Sequence, residues 1–423
     1  MSNSFSKEEI VAWEDMVEGF EDGLVLSKNI STFKTDQTQM ERSNDTIWRP
    51  MPYIAQSFDG MDQTANFVDQ TQLSVPARIG YKKSSPWIMD AVQLRDALQE
   101  NRLGMAARQK LASDINVAVM NVAAQQGTLV VKRTVAASGY DDVAQCEAIM
   151  NEQGISGLDR YLALSTRDYN GMAKDLQTAS RSFGNKKSDN AYEKSFVGEV
   201  ASFDTFKLDY ANRIAAAAGG AGLTVSTLVG AANYWIPKAT SVAATGEMSN
   251  VDNRYQRITI SSTTSVVAGD CFTIAGVNAV HHITKVDTGQ LKTFRVISVD
   301  SATTMTISPP IISTQGGTDA EKQYQNVTVT TSATAAIVFL NTVSAYVNPF
   351  WHRDAFELLP GRYAVPEGTG AAVMRATTEQ GIELVFTKQF DINTLKCKYR
   401  IDTIFGVACV QPEMAGLILF AQT

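Results

Sequence analysis

AVQLRDALQENRLGMAARQKLASDINVAVMNVAAQQ, residues 91–126, contains no proline and one glycine, Gly104. Asp90 stands where an N-cap belongs, Gln93 sits three residues on as its capping-box partner, and Gly127 supplies a C-terminal stop. The stretch predicts one long helix, roughly 54 Å at 1.5 Å per residue. Leu94, Leu98, Met105, Leu111 and Ile115 follow helical spacing, but Arg95, Arg102, Arg108 and Lys110 interleave with them. The first half therefore has a narrow apolar stripe. From 115 to 124 (INVAVMNVAA) apolar residues occur nearly all round, so this half is expected to be enclosed and the 102–110 face exposed. The heptads are not sustained, which argues against a coiled coil.

The rest of the chain must support that helix. At 423 residues it is long enough for two or three domains. Charged residues make up 19% and hydrophobic ones 44%, with mean hydropathy -0.11, a globular balance. No segment approaches the ~20 apolar residues of a membrane span. The start, MSNSFSKEEI, has no signal-peptide pattern, so a cytoplasmic site of synthesis is expected. A net charge of -7 and pI of 5.2 argue against a dedicated nucleic-acid binder, though not against a surface that lies near DNA without gripping it.

Before the long helix, Glu8, Glu9, Glu14, Asp15, Glu18, Glu21 and Asp22 alternate with Ile10, Val11, Trp13, Met16, Val17 and Phe20. That pattern predicts an acidic amphipathic helix ending near Gly23, either a solvated surface helix or an arm for a basic partner. Residues 52–81 carry an Asp59-Gly60 turn, with Asp62 beside it. Leu73, Val75, Ala77 and Ile79 then alternate with polar neighbours, Arg78 among them. Period two predicts a strand, and a polar partner strand before it would complete a long hairpin.

After the long helix, residues 141–153 predict a short helix and 161–164 (YLAL) a buried strand, and Asp168 opens another helix with Met172, Ala173 and Leu176 facing inward. SRSFGNKKSDN, 180–190, is a polar loop with Arg181, Lys186 and Lys187, and AAAAGGAG, 215–222, marks a boundary. From there to about 344 short strands recur: RITIS, DCFTIAG, AVHHIT, TFRVISV, TMTISP, NVTVTT and AIVFL. Even spacing of this kind predicts a small antiparallel barrel or sandwich. Since the composition reverts at 347, the β module reads as an insertion whose ends lie together.

No P-loop, GxGxxG after a strand, GxSxG or HExxH occurs. His281 and His282 fall side by side within one predicted strand, so they point to opposite faces and do not share a metal; the third histidine is His352. Cys146, Cys271, Cys397 and Cys409 show no metal spacing and read as reduced thiols. Asp141-Asp142 and the Asp59, Asp62 pair suit turns rather than acid-base chemistry. No catalytic residue, metal or cofactor is expected. The chain reads as a structural or interaction protein. The rival is a cytosolic enzyme with an inserted β domain.

SNDTIWRP at 43–50, VDNRYQRITI at 251–260 with CFTIAGV at 271–277, and YRIDTIFGVACVQPEMAGL at 399–417 carry a likeness. In these the chain resembles the major capsid (coat) proteins of short-tailed lambdoid bacteriophages, nearly end to end; the alternative is another virion β protein, such as a tail or decoration component, against which the long helix and the mixed host domain argue. The resemblance implies an α+β tailed-phage major capsid fold with an inserted six-stranded antiparallel β-barrel. It implies an N-terminal arm at 1–32. A peripheral domain at 33–51 and 81–148 would hold the spine helix 91–126, completed by strands at 400–423. An extended loop would occupy 52–80, an axial domain 149–221 and 346–399, and the barrel 222–345. It further implies self-assembly as pentamers and hexamers, with scaffolding protein and a portal, into an icosahedral procapsid. That shell would form in the bacterial cytoplasm and expand around double-stranded DNA, with no membrane. Glu14, Asp15 and Glu18 become candidates for the scaffold contact, and Asp59, Asp62 and Arg78 for intersubunit contact by the extended loop. The capsomer-bridging loop matches TSVAATGEMSN, 240–250, giving Thr240, Thr245, Glu247 and Asn250; the family's aspartates are missing there, which leaves Glu247 or neutral contacts. Gln411 replaces the family's arginine before Pro412-Glu413.

Overall fold

The computed structural model describes residues 5, 7–33, 46–52, 54–64, 66–90, 97–179, 197–208, 210–219, 222–226, 235–331, 334–364 and 371–423. The chain divides into two units, 1–47 with 77–120 and 356–408, and 48–76 with 121–355 and 409–423.

In the first unit, strand Lys396–Cys409 pairs antiparallel with Glu383–Asp391 on one side and with Tyr81–Asp90 on the other. Phe356–Pro360 and Ala372–Thr377 extend the sheet. Their register stacks aromatic rings: Trp87 on Tyr399 at 5.5 Å and Phe386 on Tyr399 at 6.0 Å. Helix α1, Lys7–Gly23, docks on that stack through Trp13, whose ring lies 5.5 Å from Phe386. Of the expected apolar face, Trp13, Met16 and Phe20 are buried and Val17 is half-buried, whereas Ile10 and Val11 are exposed.

The long helix is α2, Ala97–Gln126; its expected first turns, 91–96 with Gln93, lie outside the described residues. Asp90 ends the preceding strand, paired with Lys396, so its described role is that of a strand residue. Leu111, Ala112, Ile115, Ala118, Val119, Met120, Val122, Ala123 and Ala124 are buried, whereas Arg102, Leu103, Met105, Gln109 and Lys110 are exposed. The enclosed half is the one the composition singled out. Gly104 has a steric cause: a Cβ there would stand 2.9 Å from Met16 Sδ, because α1 passes against α2 at this point. Asn116, polar within the apolar run, is satisfied by the end of α1. Its Nδ2 donates to Gly23 O at 2.8 Å and its Oδ1 accepts from Leu26 N at 3.2 Å.

The second unit is built on a six-stranded mixed sheet. Its order is Leu129–Lys132, Ala415–Leu419, Asn348–His352, Arg160–Ser165, Phe203–Leu208, Glu199–Val200. Arg160–Ser165 is buried at every position and runs parallel to Phe203–Leu208, with helix α4, Thr166–Ala179, as the crossover. Helix α3, Tyr140–Glu152, adds Val143, Cys146 and Met150 to the core, and α4 adds Tyr169, Met172 and Ala173. Asp142 is no turn residue in water. It is fully buried, accepts from Ser138 N and Gly139 N, and pairs with Arg133. The loop at 180–190 lies outside the described residues.

The β module forms a five-stranded antiparallel sheet, ordered Gln256–Thr259, Thr304–Ser308, Asp287–Val299, Cys271–Val280, Ile337–Phe339. Residues 223–226 close it. Val225 N donates to Ala335 O, Ile337 N to Leu223 O, Ser226 N to Thr259 O and Ser261 N to Thr224 O, so this short segment bonds both edge strands. It serves as the sixth stave around Phe272, Phe294, Val296, Met305 and Ile307. NVTVTT, expected as a strand, supplies a single bridge, Val327 to Ala279. A capped helix α5, Asp319–Tyr324, precedes it. Incoming and outgoing chains run side by side: Arg213–Ile214 pairs with Ala345–Tyr346, and Ala217 N donates to Asn341 O.

Strands Phe356–Pro360, Ala372–Thr377 and Glu383–Asp391 join the sheet that holds Tyr81–Asp90, and Ala415–Leu419 joins the sheet that holds Arg160–Ser165, because strand registers rather than sequence order decide membership.

Candidate assembly surfaces

Glu14, Asp15 and Glu18 lie exposed on the outer face of α1. Their helix is not a loose arm. Glu9 pairs with Lys388, Glu21 Oε1 accepts from Glu379 N, and Asp15 O accepts from Arg108. Docking this helix leaves a fixed acidic strip.

In the extended segment the predicted partner strand is absent among the described residues of 51–73. Ser74–Arg78 pairs instead with Thr46–Pro50. The base of the loop is anchored: Met51, Leu73 and Val75 pack with Ile312 and Tyr324, and Tyr324 Oη donates to Thr71 O. Its outer part exposes Phe58, Met61 and Phe67, the last at 88%. Asp59 is exposed, and Asp62 accepts from Thr64 N and Thr64 Oγ1, bonds that hold its carboxyl below the usual range. Arg78 is not with them. It sits on the strand and donates to Thr46 Oγ1 at 2.9 Å.

Residues 240–250 form a hairpin of Thr240–Val242 and Met248–Asn250, exposed at every position. The register places Thr240 opposite Asn250 and Val242 opposite Met248 on one face, and Ser241 opposite Ser249 on the other. Gly246 turns the chain at φ 83°, with Thr245 and Glu247 beside it. An isolated two-stranded ribbon is marginal in water. Val242 and Met248, 63% and 66% exposed, are its largest apolar side chains.

One buried polar set went unread in the sequence. The module's Arg254 donates to Cys409 O at 2.8 Å while Asp252 accepts two of its N–H groups. Arg295 donates to Gly127 O at 3.2 Å, a cation at the C-terminal end of α2, and Thr293 Oγ1 to Thr128 O at 2.7 Å. Lys292 Nζ lies 2.5 Å from Glu413 Oε1 and 3.1 Å from Gln153 Oε1, and Asn326 Nδ2 donates to the same carboxylate. Burial opposes ionisation of Glu413, but Lys292 holds its pKa below the ordinary value. The histidines belong here too. They lie beyond strand Cys271–Val280, in a turn, so the opposite-face expectation fails. His282 N donates to Gln153 O, and burial pushes the His282 pKa down to about 4. Lys292, in phase with core-facing Phe294 and Val296, is the sequence mark that was available. Among the described residues no group of three or more His, Cys, Asp or Glu is placed to hold a metal, and no helix is long and apolar enough to cross a membrane.

Among solved structures, the chain is similar to one from Mycobacterium phage Che8, with 8% identity over 95% of this chain and 92% of that one, TM-score 0.44. It is similar to the head structure of Helicobacter pylori bacteriophage KHP40, with 8% identity over 100% and 93%, TM-score 0.40. It is also similar to the CUS-3 coat protein I-domain, with 41% identity over 29% of this chain and 98% of that one, TM-score 0.23. The family described as "P22 coat protein - gene protein 5" matches residues 1–421. With that match over almost its whole length, this α+β chain belongs to the P22 coat protein family and is a major capsid protein of the tailed-phage capsid fold, a structural protein rather than an enzyme.

Proposed function

We propose that this coat protein co-assembles with scaffolding protein and a portal into a procapsid of pentamers and hexamers, which expands as double-stranded DNA enters. The observation that carries the reading is the hairpin at 240–250, a ribbon exposed throughout and too small to be stable alone. The extended loop supports it with Phe58, Met61 and Phe67 held out from an anchored base. Such contacts are individually weak, and summation over a closed shell suffices while misplaced subunits still leave.

In this reading residues 1–32 are the arm, 52–80 the extended loop and 222–345 the inserted barrel. The strand registers favour assigning 356–408 to the peripheral domain with the spine helix, and 149–221 with 346–355 and 409–423 to the axial domain. Scaffolding protein would meet the strip of Glu14, Asp15 and Glu18 through a basic segment. Recruitment that survives both high salt and Glu14→Lys would reject that electrostatic contact. For assembly itself the test is electron microscopy of the protein expressed with its scaffold. Closed shells are expected; small discrete oligomers would refute the proposal.

A further inference from the structure

We propose that Asp59 is a site of spontaneous backbone modification, where the chain closes to a succinimide with Gly60 and reopens in part as isoaspartate. At three places in the chain an aspartate or asparagine precedes glycine: Asp22-Gly23, Asp59-Gly60 and Asn170-Gly171. Glycine matters because its main-chain nitrogen is the attacking group, and a side chain on that residue crowds the approach. The fold blocks two of these places and leaves the third open.

Gly23 ends α1. A Cβ there would stand 2.9 Å from Ala112 Cβ, and Gly23 O accepts from Asn116 Nδ2, so this helix end is both packed and bonded. Asn170-Gly171 lies inside α4, where a Cβ on Gly171 would stand 2.6 Å from Ala137 O and Asn170 Oδ1 accepts from Lys207 Nζ. Helical backbone has ψ near -42°, which turns the following nitrogen away from the side-chain carbonyl carbon. Ring closure at either place must wait for the helix to open locally.

Asp59-Gly60 has neither restraint. Residues 57–62 are exposed throughout and belong to no helix or strand. Gly60 turns the chain at φ 101°, and a Cβ there would meet nothing within 4 Å. Among the described residues no group bonds Gly60 N or the Asp59 carboxylate, so nucleophile and electrophile are both free. What holds the turn acts on its carbonyls instead: Gln63 Nε2 donates to Phe58 O, Asp59 O and Gly60 O. That clamp occupies neither reacting group. Nearby Asp62 is the contrast, since Thr64 N and Thr64 Oγ1 both bond its carboxylate and Gln63 rather than glycine follows it.

In the first step Gly60 N bonds to Asp59 Cγ, and one oxygen of the protonated carboxyl leaves with two hydrogens as water. Water then adds to the cyclic imide. Attack at Cγ restores aspartate. Attack at the main-chain carbonyl breaks its bond to Gly60 N, so the chain now runs through Cβ and Cγ and the α-carboxylate is free. Nothing is oxidised or reduced, and water is the only co-reactant. The charge is kept, but a methylene enters the main chain between Phe58 and Met61, which re-aims two exposed apolar side chains.

The test incubates the full chain at 37 °C and pH 6, folded in buffer and unfolded in guanidinium chloride. Peptide mapping with electron-transfer fragmentation, which cleaves isoaspartate at its extra backbone bond, then locates and counts the product. Folded, Asp59 is expected to convert within about twofold of its unfolded rate, while conversion at Asp22 and Asn170 falls about tenfold or more. Suppression of Asp59 equal to that of the other two overturns the proposal. So does conversion of all three at their unfolded rates, because the fold then selects nothing. In Asp59→Glu, which cannot close the same ring, the isoaspartate signal of the peptide spanning 43–78 is expected to vanish; its persistence would assign the product to another aspartate and equally reject the site.

Discussion

Replacing Glu413 by Leu while keeping Lys292 leaves an ammonium 1% exposed with only the Gln153 side-chain carbonyl, 3.1 Å away, as partner. Breaking a buried ion pair from one side costs about 3–5 kcal/mol, since the surviving charge stays desolvated. Lys292→Met costs less, about 2–3 kcal/mol, because Glu413 keeps the Asn326 amide and can take up a proton. The double variant Lys292→Met with Glu413→Leu removes both charges. Asn326 Nδ2 retains its bond to Pro310 O at 2.9 Å, so the double change is expected to cost only about 0–2 kcal/mol. A coupling of about 3 kcal/mol or more therefore appears in the cycle. Urea denaturation of the four proteins, read by tryptophan fluorescence, measures it from midpoints at constant slope. A double variant as unstable as the sum of the singles would refute the reasoning, because the two groups would then act independently.

Gly104→Leu drives a side chain into Met16 and is expected to destabilise the α1–α2 contact by about 1–3 kcal/mol; a melting curve unchanged within about 0.5 kcal/mol contradicts the packing described. All four cysteines are buried, Cys409 with its pKa pushed up to about 12 by burial, so a thiol reagent at pH 8 should label the native chain only on unfolding. Prompt labelling of the folded protein would show that the core around them is open. At the hairpin, Val242→Asp and Met248→Asp are expected to block shell formation without altering monomer unfolding, while Glu247→Ala assembles normally. The reverse pattern in particle yield would make the contact ionic.

Legibility in the sequence followed the range of the interactions concerned. The long helix could be read because its enclosed half declares itself over ten consecutive residues, and α3, α4 and the strand at 160–165 announced themselves locally. Even Gly104 stood out as the one glycine of its stretch, though not its reason, which is a helix some ninety positions away. NVTVTT failed because alternation reports two faces but not whether a partner edge remains free; that segment has only Val327 bridged. The histidine turn failed for the opposite reason: β-branched neighbours extended the apparent strand past its end. The polar seam was out of reach, since Arg254 and Cys409, or Thr293 and Thr128, meet only after folding. Two of the stretches that carried the family likeness, 251–260 and 399–417, meet in that seam.

The paired incoming and outgoing segments at 213–217 and 341–346 make the β module a genetic cassette. A tight turn joining those two strands would restore an uninterrupted host chain, so the fold imposes almost no topological barrier to gain or loss of the insert. Reversal carries a different penalty. Excision would strip the cover from Gly127 O, Thr128 O, Cys409 O and Glu413, leaving a host that has become chemically committed to an addition its chain path never required.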